Sequence, residues 1–178
     1  MELLKEIKDK EFPNDESTLK IREASRAVLF DENGLVPLLF VSKHNYHKLP
    51  GGGIDDGEDK MKALTREVKE EVGAEIKVVA EVGEIIEYRS DFNLKQISYC
   101  YIGEITSKGN PAFTDEELID GFKIVWLSLV DAIATLEHDL PDDYEGPFIQ
   151  RRDWVFLKTA QRILQHLWQS GIIFTKII

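Results

Sequence analysis

The sequence is poor in cysteine and in long apolar runs, and each shortage excludes a class of protein. Cys100 is the only cysteine among 178 residues, so a small scaffold held together by internal disulfides is excluded. The longest apolar run, about Leu35 to Val41, is much shorter than the roughly 20 residues of a membrane span. The first six residues carry acidic and basic side chains where a signal peptide would be apolar. We therefore expect a cytoplasmic protein without a membrane segment.

Basic residues are also in short supply. The chain has 22 Lys and Arg against 33 Asp and Glu, which gives a formal net charge of −11. Such a surface repels nucleic acid, so we do not expect a nucleic acid polymer as partner. A substrate that carries phosphate would instead arrive with divalent cations. Repeats and linkers rich in Pro, Gly or Ser are absent as well, which predicts one domain over residues 1–178.

The order of the predicted elements indicates an α/β domain in which helices pack on a mixed sheet. Residues 1–20 form a charged lead-in, and residues 148–170 form a C-terminal helical segment. The predicted strands are Ala24–Phe30, Leu35–Ser42, Glu75–Ala80, Glu84–Tyr88, Gln96–Glu104 and Phe122–Leu127, and the predicted helices are 58–72, Leu129–Glu137 and Phe148–Gln169. An Asn-Gly pair at 33–34 is typical of a β-hairpin between the first two strands. Pro37 predicts that the second strand lies at an edge or carries a bulge.

Three glutamates follow a glycine-rich loop and share one face of the helix predicted over 58–72. Glu67, Glu70 and Glu71 fall within an arc of about 100° beside the apolar stripe. Their charges repel each other, and no lysine stands four positions after any of them. A solvated acidic face would explain them, and so would a hard divalent cation bound by carboxylate oxygens and the glycine backbone. The three glutamates alone leave both interpretations open.

The whole segment resembles the Nudix box, G-x5-E-x7-R-E-U-x-E-E-x-G-U. The matching residues are Gly52, Glu58, Arg66, Glu67, Val68, Glu70, Glu71 and Gly73. The last position, usually a larger aliphatic residue, is Ala74, and this departure should affect packing more than chemistry. The resemblance implies an α/β/α Nudix sandwich with a mixed central sheet. It also implies metal-dependent hydrolysis of a nucleoside diphosphate linked to another group.

The same resemblance implies roles for the residues of the box. Glu70 and Glu71 would ligate Mg²⁺ together with the carbonyl of Gly52, and Mn²⁺ could replace it. Glu67 would be a metal ligand or the general base. Arg66 would support catalysis by pairing with Glu58, which braces the loop against the helix. The attacking water would then be activated by the metal.

Weaker signals lie outside the box. Family members often add an acidic residue from a later loop, and we choose Glu117, with Glu116 next to it, although a solvated helix N-terminus would explain both. Arg26, with Arg22 on the same strand, is a candidate for substrate phosphates, although pairing with the surplus carboxylates is the commoner use of such arginines. Tyr46, within the polar segment 44–47, is a candidate contact for a nucleotide base, although the polarity of a surface loop would explain this segment equally well.

The substrate and the assembly are less constrained by the sequence. Members of the family that act on ADP-sugars usually carry a proline about fifteen residues beyond the box, and no proline occurs between Ala74 and Asn110, so the resemblance disfavours that subgroup. Members that act on dinucleoside polyphosphates usually carry a tyrosine slightly further on, and Tyr88 near that place is a weak sign of this activity. By elimination, the resemblance favours a MutT-like hydrolase that converts a nucleoside triphosphate, including an oxidised one, to monophosphate and pyrophosphate. ADP-ribose, a dinucleoside polyphosphate, or a Nudix-fold sensor without turnover are the alternatives. Residues 144–153 could border the site or a dimer contact, so monomer and homodimer both remain open.

Overall fold

The computed structural model describes residues 1–9 and 18–170. The strands are β1 (Leu3–Lys8), β2 (Lys20–Phe30), β3 (Val36–Val41), β4 (Tyr46–Lys48), β5 (Gly51–Gly53), β6 (Ala74–Arg89), β7 (Leu94–Lys108) and β8 (Phe122–Leu127). The helices are α1 (Lys60–Glu71), α2 (Asp115–Ile119), α3 (Leu129–His138) and α4 (Gly146–Gln169), and a 3₁₀ turn covers Ser90–Phe92. In this described part of the chain, no helix is long and apolar enough to cross a membrane.

The strands form two sheets. The larger sheet is mixed and has the order β1-β6-β7-β2-β5, in which β1 runs parallel to β6 and β2 runs parallel to β7. The smaller sheet is antiparallel and has the order β4-β3-β8. The predicted α/β fold with a mixed central sheet is therefore confirmed.

Alternation along β2 gives the large sheet two apolar faces. Ala27 and Leu29 belong to one buried cluster with the apolar stripe of α1. The intervening residues Val28 and Phe30 belong to a second cluster with α3 and α4. Because successive strand residues face opposite sides, the sheet lies between α1 on one side and α3 and α4 on the other. This arrangement is the predicted sandwich.

Helix α1 begins and ends at residues with specific backbone chemistry. The side chain of Asp59 accepts hydrogen bonds from the backbone N–H of Met61 and Lys62, which caps the N-terminus. Gly73 follows the helix with a φ of +70°, and a Cβ there would lie 2.4 Å from the carbonyl carbon of Asn110. Only glycine fits this left-handed, crowded position, so the helix predicted over 58–72 is confirmed with slightly shorter limits.

The predicted hairpin is wrong. Asp31 and Gly34 do form a turn, in which the Gly34 N–H donates to the Asp31 carbonyl at 3.0 Å. However, β2 pairs with β5 and β7, whereas β3 pairs with β4 and β8. Strand β3 is also the central strand of its sheet, but Pro37 faces only Trp126 of β8, because pairing with β4 begins at Leu39.

Two further strand predictions need correction. The segments predicted over Glu75–Ala80 and Glu84–Tyr88 belong to one strand, β6, whose pairing with β7 shifts register between Val78 and Ala80 and between Glu81 and Gly83. Part of the lead-in predicted over 1–20 is strand β1, while residues 10–17 lie outside the described residues. Strand β1 has no strong local signal, because it depends on pairing with the distant strand β6, whereas β6 was recognised as strand but divided in two.

Candidate active site

The glycine-rich loop before α1 is fixed by three charged side chains from three different elements. The Gly51 N–H donates to Oε2 of Glu71 in α1 at 2.6 Å, and the Gly51 carbonyl accepts from Nη1 of Arg26 in β2 at 2.7 Å. One residue before Pro50, the Leu49 N–H donates to Oδ2 of Asp153 in α4 at 2.8 Å. The backbone at residues 49–51 is therefore held from both faces of the large sheet.

The three glutamates of α1 differ in burial according to their angle on the helix. At about 100° per residue, Glu71 lies about 40° from Glu67 toward the buried Val68, whereas Glu70 lies about 60° away on the solvent side. The exposed fractions of the side chains follow this order: 2% for Glu71, 15% for Glu67 and 43% for Glu70. The predicted shared face therefore exists, but it runs from the protein interior to the solvent.

Glu71 lies beneath the glycine loop and has a basic partner. Its Oε1 is 2.9 Å from Nζ of Lys48, the last residue of β4. Burial raises the pKa of Glu71, and Lys48 and the Gly51 N–H act in the opposite direction. Lys48 was not among the predicted site residues, because nothing in its local sequence indicates a partner 23 positions later.

Glu67 contacts the backbone of the glycine strand. A Cβ on Gly52 would lie 2.4 Å from the Glu67 carboxyl carbon, so a larger residue at this position would force the carboxylate to move. Nη1 of Arg66 donates to Oε1 of Glu67 at 2.7 Å and contacts Oε2 of Glu70 at 3.4 Å. Glu67 and Glu70 therefore converge on one guanidinium nitrogen beside Gly52.

Arg66 joins the helix to the loop through its remaining donors. Its Nε and Nη2 donate to the two carboxylate oxygens of Glu58 at 3.1 and 2.9 Å, and Nη2 also donates to the Gly53 carbonyl at 3.0 Å. The hydrogen bonds from Arg66 lower the pKa of Glu58. The predicted contact between these residues is present, while a contribution of Arg66 to activity stays a prediction.

The structure places Glu117 in a helix cap. The Glu117 carboxylate accepts from the Thr114 N–H at 2.8 Å and from the Thr114 hydroxyl at 3.0 Å, at the start of α2. The preceding loop reaches α1, because the Ala112 N–H donates to the Glu70 carbonyl at 2.7 Å. The loop is therefore near the glutamate helix, but the Glu117 side chain is engaged locally, and its catalytic role stays a prediction.

The two predicted substrate contacts are both buried. Arg26 is 5% exposed and lies under Gly51, so a direct contact with substrate would require its guanidinium to leave the loop carbonyl. Tyr46 is 6% exposed and packs in a small apolar cluster with Val41 and Ile149. Burial raises the pKa of Tyr46, and its ring faces the interior of the protein.

A buried polar network between the large sheet and α4 was missed by the sequence analysis. Arg152 donates to Glu87 at 3.1 Å and to Asp153 at 2.7 Å, and Arg89 donates to Glu87 at 2.9 Å. Burial alone would raise the pKa of Glu87, but Arg152 and Arg89 lower it to about 2. Gln96 donates its amide to Glu87 at 2.9 Å. No local pattern could reveal this network, because Glu87 and Arg152 are 65 positions apart.

The donor chemistry at Gly52 suits a hard divalent cation. Within residues 1–9 and 18–170, no three His, Cys, Asp or Glu side chains are grouped closely enough to hold a metal ion by themselves. However, Glu67 and Glu70 meet at one cationic nitrogen, and the glycine backbone lies against Glu67. Magnesium commonly binds through one or two carboxylates plus water and substrate phosphates. Two glutamates beside a glycine backbone fit that mode of binding.

Comparison with known proteins decides the family. The family model described as NUDIX domain matches residues 20–151. The protein belongs to the Nudix family. The matched range includes the glycine strand, the glutamate helix and the start of α4, and it ends just before Arg152 and Asp153.

The curated relatives of this Nudix chain match a shorter part of it than the family model does. An RNA pyrophosphohydrolase of Campylobacter jejuni (strain 81-176) is 38% identical over 72 residues, which are 38% of this chain and 46% of the relative. The chain therefore spans less than half the length of the curated relatives it matches. Among solved structures, the MutT protein of Methanosarcina mazei Go1 has a TM-score of 0.58 at 18% identity, covering 82% of this chain and 96% of that one. The Ap4A hydrolase of C. elegans has a TM-score of 0.57 at 16% identity, covering 82% and 99%. These structures share the fold of this Nudix protein.

Proposed function

We propose that this Nudix protein is a hydrolase that depends on a divalent cation and cleaves the pyrophosphate linkage of a nucleoside diphosphate derivative. The proposed substrate is a nucleoside triphosphate, including oxidised forms, and the products are a nucleoside monophosphate and pyrophosphate. One observation carries the proposal: Glu67 and Glu70 converge on one nitrogen of Arg66, and the Glu67 carboxylate lies so close to Gly52 that a Cβ there would displace it.

The residues that would hold the cation follow from their positions. Glu67 and Glu70 are proposed ligands with the Gly52 carbonyl, and Mg²⁺ is the proposed ion, with Mn²⁺ as substitute. Glu71 stays a proposed ligand as well, although its carboxylate is held by Lys48 and the Gly51 N–H. The cation, when bound, neutralises phosphate charge and makes a water molecule more acidic.

The chain's own residues would position and deprotonate the attacking water. Glu67 is the proposed general base where it is not a ligand, and its contact with Arg66 fixes the orientation of its carboxylate. Arg66 is held in turn by Glu58 and the Gly53 carbonyl, so helix and loop keep a constant separation. A fixed separation keeps the reacting groups near their working geometry, which contributes to rate through orientation.

The names of the relatives offer other substrates. The Campylobacter relatives are named for RNA pyrophosphohydrolase activity, and one structural neighbour is named for Ap4A hydrolysis. The net charge of −11 disfavours a long polyanion. A small-molecule nucleotide is therefore the proposed substrate, with RNA 5′ ends, ADP-ribose and dinucleoside polyphosphates as alternatives. A sensor without turnover is disfavoured because it has no use for crowded carboxylates.

A panel of substrates tests the proposal. We would measure kcat/KM, with product identification, for ordinary and oxidised purine triphosphates, ADP-ribose, diadenosine polyphosphates and a short 5′-triphosphorylated RNA under one Mg²⁺ condition. The expected result is the highest kcat/KM for a nucleoside triphosphate, with pyrophosphate as a product. A higher kcat/KM for any of the other three classes would contradict the proposed substrate, and binding without turnover throughout would favour the sensor.

A further inference from the structure

The glycine strand β5 has a glutamate side chain near one side and an arginine side chain near the other. A Cβ on Gly52 would meet the Glu67 carboxylate, whereas a Cβ on Gly53 would lie 3.3 Å from Nη2 of Arg22. Because successive strand residues face opposite sides, Arg22 lies across the strand from Glu67. Strand β5 is an edge strand and carries no side chains, so a ligand at this edge can contact both sides.

Arg22 and Arg26 on β2 are not neutralised by carboxylates, contrary to the commoner use expected from the sequence. Nη1 of Arg22 donates to Oε1 of the Gln96 side chain at 2.9 Å. Nη1 of Arg26 donates to the backbone carbonyl of Gly51 at 2.7 Å. Nε of Arg26 is buried without a hydrogen-bond partner in the described part of the chain. Among the same residues, no carboxylate lies within ion-pair distance of either guanidinium.

The contact between Arg22 and Gln96 has a fixed sense. The Gln96 amide nitrogen donates to the Glu87 carboxylate at 2.9 Å, and an ionised carboxylate only accepts. The side-chain oxygen of Gln96 must therefore be the atom that faces Arg22. Glu87 is itself held by Arg89 and Arg152. A neutral group thus orients the Arg22 guanidinium, which forms no ion pair within the described part of the chain.

The charges around Arg22 are paired with each other and not with Arg22. Arg26, Arg89 and Arg152 are buried there with Glu87 and Asp153, and the half-exposed Glu145 pairs with Arg89. Burial, followed by Arg152, lowers the pKa of Arg26 to about 10, so its guanidinium is still protonated at neutral pH. With Arg22 included, this group holds four arginines against three carboxylates, which favours an anionic ligand group over a neutral one.

We propose that Arg22 binds the terminal phosphate of the substrate, beyond the linkage that is cleaved, so that the substrate class is a nucleoside with three or more phosphates. This inference rests on the proposed function. The planar guanidinium of Arg22 has further N–H donors that suit phosphate oxygens. Arg26 is a positioning residue, because its guanidinium donates to the Gly51 carbonyl and so helps to fix the glycine strand.

The first test compares nucleotides with and without the third phosphate. In Arg22→Gln, we expect the KM of a nucleoside triphosphate to rise about 10- to 100-fold, as the loss of a charged hydrogen bond implies. The KM of the matching diphosphate and kcat for both nucleotides should change by less than about threefold. Arg22→Lys should recover part of the loss, since it keeps the charge. Arg162→Gln, an exposed arginine of α4 that contacts Thr159, is the matched control and should resemble the wild type.

Three results would overturn the assignment. An unchanged triphosphate KM would show that Arg22 does not contact substrate. An equal rise for triphosphate and diphosphate would place Arg22 at the cleaved linkage itself. A loss confined to guanine nucleotides would assign Arg22 to the base, because guanidinium groups also pair with the guanine edge.

A binding measurement separates this inference from the proposed function. Calorimetric titration with inorganic tripolyphosphate needs no turnover, and we expect Arg22→Gln to bind it about 10-fold or more weakly than the wild type. If the wild type hydrolyses no nucleotide but this difference is present, the proposed function fails and the anion site stands. If nucleotides are hydrolysed and both proteins bind tripolyphosphate equally, the anion site fails alone.

Discussion

The glutamates of α1 belong to one motif but differ in burial, because each has a different angle on the helix. Glu70 is the most exposed of the three, and Glu71 is almost completely buried against Lys48. An exposed carboxylate can exchange partners at little cost, whereas a buried one must keep its partner. The same substitution should therefore have different consequences at neighbouring positions.

We expect Glu71→Gln to lower the free energy of unfolding by about 3 kcal/mol, because it leaves the buried ammonium of Lys48 without a charged partner. Glu70→Gln should change it by less than about 0.5 kcal/mol. Denaturant titration of both variants would measure the difference. Equal stability of the two would mean that the pair of Lys48 and Glu71 contributes nothing to folding.

At this scale the sequence predicted the shared face of the glutamates and the contact of Arg66 with Glu58, but not the basic partner of Glu71. Glu67, Glu70 and Glu71 share a face because helical spacing is a local property. The partner of Glu71 comes from β4, and the glycine that admits Glu67 comes from β5. Side-chain partners across elements depend on tertiary packing, which the spacing of a motif does not contain.

At the scale of elements, the C-terminal helix α4 takes part in holding the glycine loop. Asp153 accepts the Leu49 N–H and pairs with Arg152, which binds Glu87 in β6. The helix thereby joins the glycine loop to the far side of the sheet. From the sequence alone, residues 144–153 could border either the site or a dimer contact. In the structure, Asp153 of this segment contacts the backbone of the glycine loop.

We expect Asp153→Ala to destabilise the protein by about 3 to 5 kcal/mol, since it removes one partner of a fully buried ion pair. Asp153→Asn keeps an acceptor for the Leu49 N–H and should cost less. Hydrogen exchange of the Leu49 and Gly51 amides should accelerate in Asp153→Ala, with exposed Arg162→Gln as control. Unchanged protection at Leu49 would show that α4 does not hold the loop.

Elements that depend on local chemistry were predicted well, and those that depend on partners were not. Helix α1 is bounded by the cap at Asp59 and the left-handed Gly73, which act next to the helix, and its predicted limits of 58–72 are close to the observed ones. The turn at Asp31–Gly34 is real, but turn residues do not determine which strands pair afterwards, and β2 and β3 belong to different sheets. The same reasoning explains the missed strand β1, which pairs in parallel with a strand more than 70 positions away.

At the scale of the molecule, the buried charges are grouped by region. The chain carries a net charge of −11, and its buried charged side chains are Arg26, Arg89 and Arg152 against Asp31, Glu71, Glu87 and Asp153. The glycine edge strand separates Arg22 from Glu67 of α1. Composition predicts the excess of acidic residues, whereas the positions of the buried arginines depend on the fold.

The central claim is that the glutamate face of α1 supports pyrophosphate hydrolysis that depends on a cation. The most direct test is product formation from a nucleoside triphosphate by the wild type and by Glu70→Gln, each with Mg²⁺ and with a chelator. We expect monophosphate and pyrophosphate from the wild type with Mg²⁺ only. Glu70→Gln should be about 100-fold slower or more at unchanged thermal stability, because metal stabilisation of the transition state is worth several kcal/mol. Wild-type rates in the chelator, or in a folded Glu70→Gln variant, would contradict the claim.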